Sequence, residues 1–228
     1  MSIARARGIV PLNSGAYSTS FPLTENPISE GGKWTLGGDT GLDWQNIRTN
    51  GGSPGIAYGV GTTPINQFTD CIGCIKNLGL STRKFYTRIQ VRMAAAYNPA
   101  ADHEIELLFF DILPHVNKGY EISIQWQGAA QPIRQNGAIS DYDTTVFTTL
   151  SGGTFGVADG DWLGGVFDST SGSPVITLDV NGVPQWIITD TTAGKILDLY
   201  PGMGFFAHPD ASIDMTKYCA NGFAAGNA

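Results

Sequence analysis

From Lys84 to Met93, Phe85, Thr87, Ile89, Val91 and Met93 alternate with Tyr86, Arg88, Gln90 and Arg92. A period of two is the mark of a half-buried strand, because successive side chains leave a strand on opposite faces. Shorter runs continue the series at His103 to Ile112, Gly119 to Trp126, Thr145 to Leu150, Asp161 to Phe167 and Val175 to Val180, each bounded by turn-forming residues. Helical spacing is almost absent, so the chain is expected to be all-β. Asn181-Gly182 predicts a hairpin between Val175 to Val180 and Val183 to Thr189, since both central residues of a type I′ turn need positive φ.

The composition agrees with strands and tight turns. Charged residues make up 14% and glycine supplies 30 of 228 residues, against roughly 25% charged residues in ordinary globular chains. A chain of this length suits one large sandwich and shows no internal repeat. Arg5, Arg7, Gly8, Pro11, Asn13 and Gly15 break any pattern near the start, which predicts an extended arm over residues 1–18 and a single sandwich domain over 19–228.

A net charge of −7 repels phosphate backbones and anionic lipid surfaces, so neither nucleic acid nor a membrane is expected as a partner. No apolar run is long enough to span a bilayer, and no apolar stretch follows Arg5 and Arg7 in the manner of an export signal. Three cysteines, Cys71, Cys74 and Cys219, do not suggest a disulfide framework. Synthesis in the cytoplasm without a signal peptide is the expectation.

Three stretches carry a resemblance to a known group. His103-Glu104-Ile105-Glu106-Leu107-Leu108-Phe109 is similar to the central strand of the concanavalin A-like lectin and glucanase superfamily, and Gly119-Tyr120-Glu121-Ile122 to the strand that returns beside it. Leu178-Asp179-Val180-Asn181-Gly182-Val183, followed by Pro201 to Phe206 and a closing strand from Tyr218, resembles the C-terminal half of the laminin G-like branch, known from carbohydrate-binding and phage proteins. The resemblance implies a jelly-roll sandwich of two antiparallel sheets. It leaves function open, because one fold hosts many activities.

In the glucanases of that superfamily, a Glu-x-Asp-x-x-Glu strand presents nucleophile and acid on one face. Here Glu104 and Glu106 fill the first two acidic positions, while the third falls on Leu108 or Phe109. Carboxylates at i and i+2 stand roughly 7 Å apart, close to an inverting separation. Without a third acid in the strand, the expectation is a solvated pair meeting Arg88 or Arg92 across the ladder. A glycoside hydrolase or polysaccharide lyase using Glu104 and Glu106 is the alternative. Histidines offer no catalytic cluster, since His103, His115 and His208 are scattered.

Glycan recognition calls for an exposed ring flanked by amides. Of Trp34, Trp44, Trp126, Trp162 and Trp186, the first choice is Trp126, between Gln125 and Gln127. Lectins of this fold often carry calcium on loop carboxylates, for which Asp39 with Asp43, Asp141 with Asp143, and Asp159 with Asp161 are weak candidates; turn chemistry explains them more simply. No cofactor is otherwise expected. Cys71-Ile72-Gly73-Cys74 lacks the second pair that a zinc site needs and reads as small strand residues.

The function expected from these features is a non-enzymatic structural or carbohydrate-binding module on a virion surface, as a capsid decoration or fibre-associated subunit. Its expected partners are other virion subunits, further copies of itself and a glycan, with Arg5 and Arg7 of the arm as assembly residues.

Overall fold

Lys84–Met93 forms one strand, β6. It obeys its alternation, with Phe85, Thr87, Ile89 and Val91 buried, Tyr86, Arg88 and Gln90 part-exposed, and Arg92 exposed. The computed structural model describes residues 16–38, 45–60, 69–93, 103–114, 116–125, 129–138, 146–150, 154–207 and 215–228.

Beside β6, sheet A contains β1 (Tyr17–Thr19), β3 (Arg48–Asn50), β4 (Ile56–Tyr58), β12 (Trp162–Asp168), β13 (Val175–Val180), β14 (Val183–Thr189) and β16 (Tyr218–Asn227). Its order is β14-β13-β12-β6-β16-β4-β3, with β1 also on β16. Sheet B contains β2 (Trp34–Leu36), β5 (Thr69–Ile75), β7 (Glu104–Leu113), β8 (Val116–Gln125), β9 (Ala129–Ala138), β10 (Val146–Thr149), β11 (Phe155–Gly156) and β15 (Tyr200–Ala207). Its order is β10-β9-β8-β7-β15-β5-β2, with β11 on β9. All these pairings are antiparallel. Among the described residues the only helical element is the 3-10 turn Met215–Lys217.

The sheets meet through inward-facing rings. Phe85 and Phe167 of sheet A pack on Phe109 of sheet B with centroids 5.9 and 6.0 Å away, and Tyr120 of sheet B lies 6.0 Å from Phe167. A second aromatic group joins Trp34 of sheet B to Phe223 of sheet A at 4.9 Å, and the Trp34 Nε1–H donates to the Tyr17 hydroxyl at 3.2 Å. That hydrogen bond and the pairing of Tyr17–Thr19 with Phe223–Ala225 place residues 17–19 within sheet A. Residues 1–15, with Arg5 and Arg7, lie outside the described residues.

The predicted β13–β14 hairpin is present, with Asn181 at φ 53 and Gly182 at φ 78, the left-handed pair that a type I′ turn demands. The sequence reading did not anticipate β9. Its Pro132 cannot donate to a ladder, and the register accommodates it: β10 pairs with Ile133 to Asn136 and β11 with Ala129 and Ala130, so Pro132 falls in the gap between these two partners.

Candidate functional site

Strand periodicity divides β7 between two environments. Ile105, Leu107 and Phe109 enter the core between the sheets, whereas Leu108, Phe110 and Ile112 form a separate apolar cluster with Ile72 and Cys74 on the outer face of sheet B. Glu104 and Glu106 share the parity of that outer face. On β8, Tyr120, Ile122 and Ile124 are core residues, so Glu121, Ser123 and Gln125 face outward beside the glutamates. The ladder sets Glu104 opposite Gln125, Glu106 opposite Ser123 and Leu108 opposite Glu121.

This register corrects the expectation of an isolated glutamate pair. The strand lacks a third acid at Leu108, but the neighbouring strand supplies Glu121 directly across from it. Carboxylate oxygens of Glu104, Glu106 and Glu121 lie within 4.8 Å of one another, well short of an inverting arrangement. Glu106 is only 2% exposed and Glu104 is half-buried, with Glu121 beside them 4% exposed, so the pair is not the freely solvated one expected. Nor does it meet Arg88 or Arg92, which belong to sheet A; Arg88 Nη2 donates to both Asp179 oxygens at 3.0 and 3.1 Å.

A fourth carboxylate enters from β5. Asp70 pairs with Phe206 on β15, and Phe206 pairs in turn with Glu104. Between Ile72 and Glu106 the same strand carries Gly204, where an added Cβ would collide with the Glu106 carboxylate. A glycine here leaves room for the acid to lean across β15. Burial holds the Glu106 carboxyl well above the usual range, and the negative charges of Glu121, Asp70 and Glu104 push it further in the same direction. Asp70 is pushed up to about 7, first by burial and then by Glu104.

Glu121, Asp70 and Ser123 were not singled out in the sequence. A signal for Glu121 was present. Leu113 pairs with Val116, so the connection is as short as a hairpin allows, and counting back from it sets Glu121 against Leu108. Asp70 had no comparable signal, because β5 reaches the cluster through β15, which is distant in sequence from both β5 and β7.

Of the expected glycan residues, Gln125 is exposed at the end of β8 in the row of Glu104; Trp126 and Gln127 lie outside the described residues. So do Trp44, His115, His208, Asp39, Asp43, Asp141 and Asp143. Asp161 accepts from the Ala158 amide at 2.8 Å within the turn around Gly160 at φ +81, and Asp159 accepts from the Met93 amide at 2.7 Å at the end of β6. Trp34 is a core residue, Trp186 packs edge-on against Phe155 at 5.1 Å, and Trp162 lies over Gly222.

His103 is fully buried. Cys71 and Cys74 are free thiols three residues apart in a strand and therefore point to opposite faces, Cys71 into the main core and Cys74 into the outer cluster. Burial pushes Cys71 up to about 12 and raises Cys74 as well, so neither is a poised thiolate.

No protein-family model and no curated protein matches the sequence. Solved structures do match. The endo-1,3-β-glucanase from Streptomyces sioyaensis superposes with a TM-score of 0.52 at 11% identity, over 97% of this chain and 100% of that one. The carbohydrate recognition domain of Emp46p gives 0.53 at 11%, over 95% and 98%. A Bacteroides ovatus mixed-linkage glucan GH16 protein in complex with its product gives 0.51 at 10%, over 93% and 99%. At these identities the likeness establishes the fold alone. The chain has a jelly-roll fold of two antiparallel sheets, the architecture it shares with these glucanase and lectin-domain structures.

Proposed function

We propose that the chain is a carbohydrate-binding module without hydrolytic activity, and that glycan lies at the Glu104–Gln125 end of sheet B's outer face. The burial of Glu106 and Glu121 carries this reading. An acid/base or nucleophile must touch the glycosidic linkage, and two of the three clustered carboxylates are 2% and 4% exposed. Gln125, by contrast, offers an exposed amide at the end of the same face, and Trp126 and Gln127 follow it directly in sequence.

Calorimetry against a panel of neutral and acidic oligosaccharides tests the proposal, in parallel with an assay for released reducing ends. Binding without release is expected, with Gln125→Ala and Trp126→Ala each weakening it by about tenfold, the scale of one good contact. Release of reducing ends that disappears in both Glu104→Gln and Glu106→Gln would overturn it in favour of a hydrolase. One observation favours that second reading: oxygens within 4.8 Å approach the roughly 5 Å separation used in retaining hydrolysis.

The setting we propose is a virion surface, with assembly through the Arg5 and Arg7 arm and a sheet edge. Edge strand β14 supports the second element, because Val183 and Ile187 are 54% and 72% exposed there. Native mass spectrometry is expected to show an oligomer that Ile187→Lys dissociates. A wild-type protein that stays monomeric at high concentration would count against self-assembly.

A further inference from the structure

The acidic cluster contains a feature that sugar binding does not require. Ser123 stands opposite Glu106 in the ladder and two residues from Glu121 on the same face, only 1% exposed. Among the described residues its hydroxyl oxygen has no hydrogen-bond partner. A buried hydroxyl in that condition has given up its bonds to water and received nothing in return, which native proteins seldom leave unexplained. The same face holds three carboxylates whose oxygens lie within 4.8 Å of one another, fixed on the adjacent strands β7 and β8. Gly204 keeps the β15 side open for Glu106.

We propose that Glu104, Glu106 and Glu121 hold a divalent metal cation of the calcium type, with the Ser123 hydroxyl as a further oxygen donor. The donor set is entirely oxygen, which selects a hard cation over zinc or copper. Size narrows the choice. Two ligand oxygens on one ion can be no further apart than twice the metal–oxygen distance, about 4.2 Å for magnesium and about 4.6–5.2 Å for calcium. With the three oxygens within 4.8 Å of one another, closing them around calcium takes less side-chain movement than closing them around the smaller magnesium. A cation here would neutralise charge that the carboxylates otherwise impose on one another and would use the idle lone pair of Ser123. The site differs from the loop aspartates Asp39, Asp43, Asp141 and Asp143, and it does not depend on the glycan reading.

The test uses the full chain stripped with EDTA, titrated separately with calcium, magnesium and manganese chloride near pH 7.5 and followed by calorimetry and thermal melting. Calcium is expected to bind one per chain and raise Tm, with magnesium weaker. Glu121→Gln should weaken calcium by at least about tenfold, on the scale of losing one ligand, and Ser123→Ala by a few-fold. No heat and no Tm shift with any of the three cations would overturn the proposal. So would calcium binding that both variants leave unchanged, which would locate the ion elsewhere. If Glu121→Gln does not fold, unaltered affinity in Ser123→Ala together with Glu104→Gln is decisive against it. Oligosaccharide binding measured in EDTA keeps a failure here distinguishable from a failure of the glycan reading.

Discussion

Phe109→Ala is expected to destabilise the protein by about 3–5 kcal/mol, the range for deleting a buried aromatic side chain. Phe109 is fully buried on β7 and crosses from sheet B into sheet A. There its ring occupies the space above Gly165, where an added Cβ would stand 2.6 Å from the Phe109 ring. Phe85 and Phe167 close around it at 5.9 and 6.0 Å. Deletion removes the contacts joining β7 to β6 and β12, and strands paired on both sides have little freedom to collapse into the void. At about 2–4 °C per kcal/mol for a domain of this size, Tm should fall by roughly 10 °C. Phe109→Leu keeps most of the volume and should cost about 1.5 kcal/mol or less. Chemical denaturation of both variants checks the order; an alanine variant within 1 kcal/mol of wild type would mean that the ring does not bridge the sheets.

In EDTA the protein is expected to lose stability as pH rises from 5 to 8. Asp70 titrates at about 7 in the folded state against 3.8 as an ordinary aspartate, because burial and Glu104 disfavour its charge. Between those values the folded chain holds a proton that the unfolded chain has released, so each step up in pH favours unfolding. Glu106 is raised for the same reasons and acts with the same sign. A full shift of this size corresponds to about 4 kcal/mol, and because Asp70 is only part-buried we expect about 2, or roughly 5 °C in Tm. Glu106→Gln should flatten the profile and raise Tm at pH 8, and the difference between the two curves separates the cluster from other titrating groups. Identical profiles for wild type and variant across this range would contradict the assignment.

The strands were legible where one side of the sheet is wet. Lys84 to Met93 alternates because sheet A exposes Tyr86, Arg88 and Gln90, and Asn181-Gly182 announces its turn through a conformation few other pairs adopt. β7 was legible as a strand but not as a two-sided one. Burial of both its faces produces the run Leu107 to Phe110 and conceals which residues look inward. β9 was missed because Pro132, Asn136 and Gly137 are turn residues by propensity, and pairing with β8 along the strand overrides them.

The site was half visible. Glu104 and Glu106 stand out within one strand, but Glu121 and Asp70 join them only through register and through β15, which inserts between β5 and β7. A reading confined to single strands therefore placed Arg88 and Arg92 beside the glutamates, when the sandwich assigns them to the other sheet.

The acidic cluster requires Glu106 and Glu121 to meet diagonally across the β7–β8 ladder. A double-mutant cycle with Glu106→Gln and Glu121→Gln, measured by chemical denaturation at pH 8 in EDTA, tests that contact directly. The structure predicts a coupling of about 1–3 kcal/mol of repulsive sign, so that the second substitution relieves less than it does alone. Free-energy changes that add to within about 0.5 kcal/mol would show that the two carboxylates do not share a site.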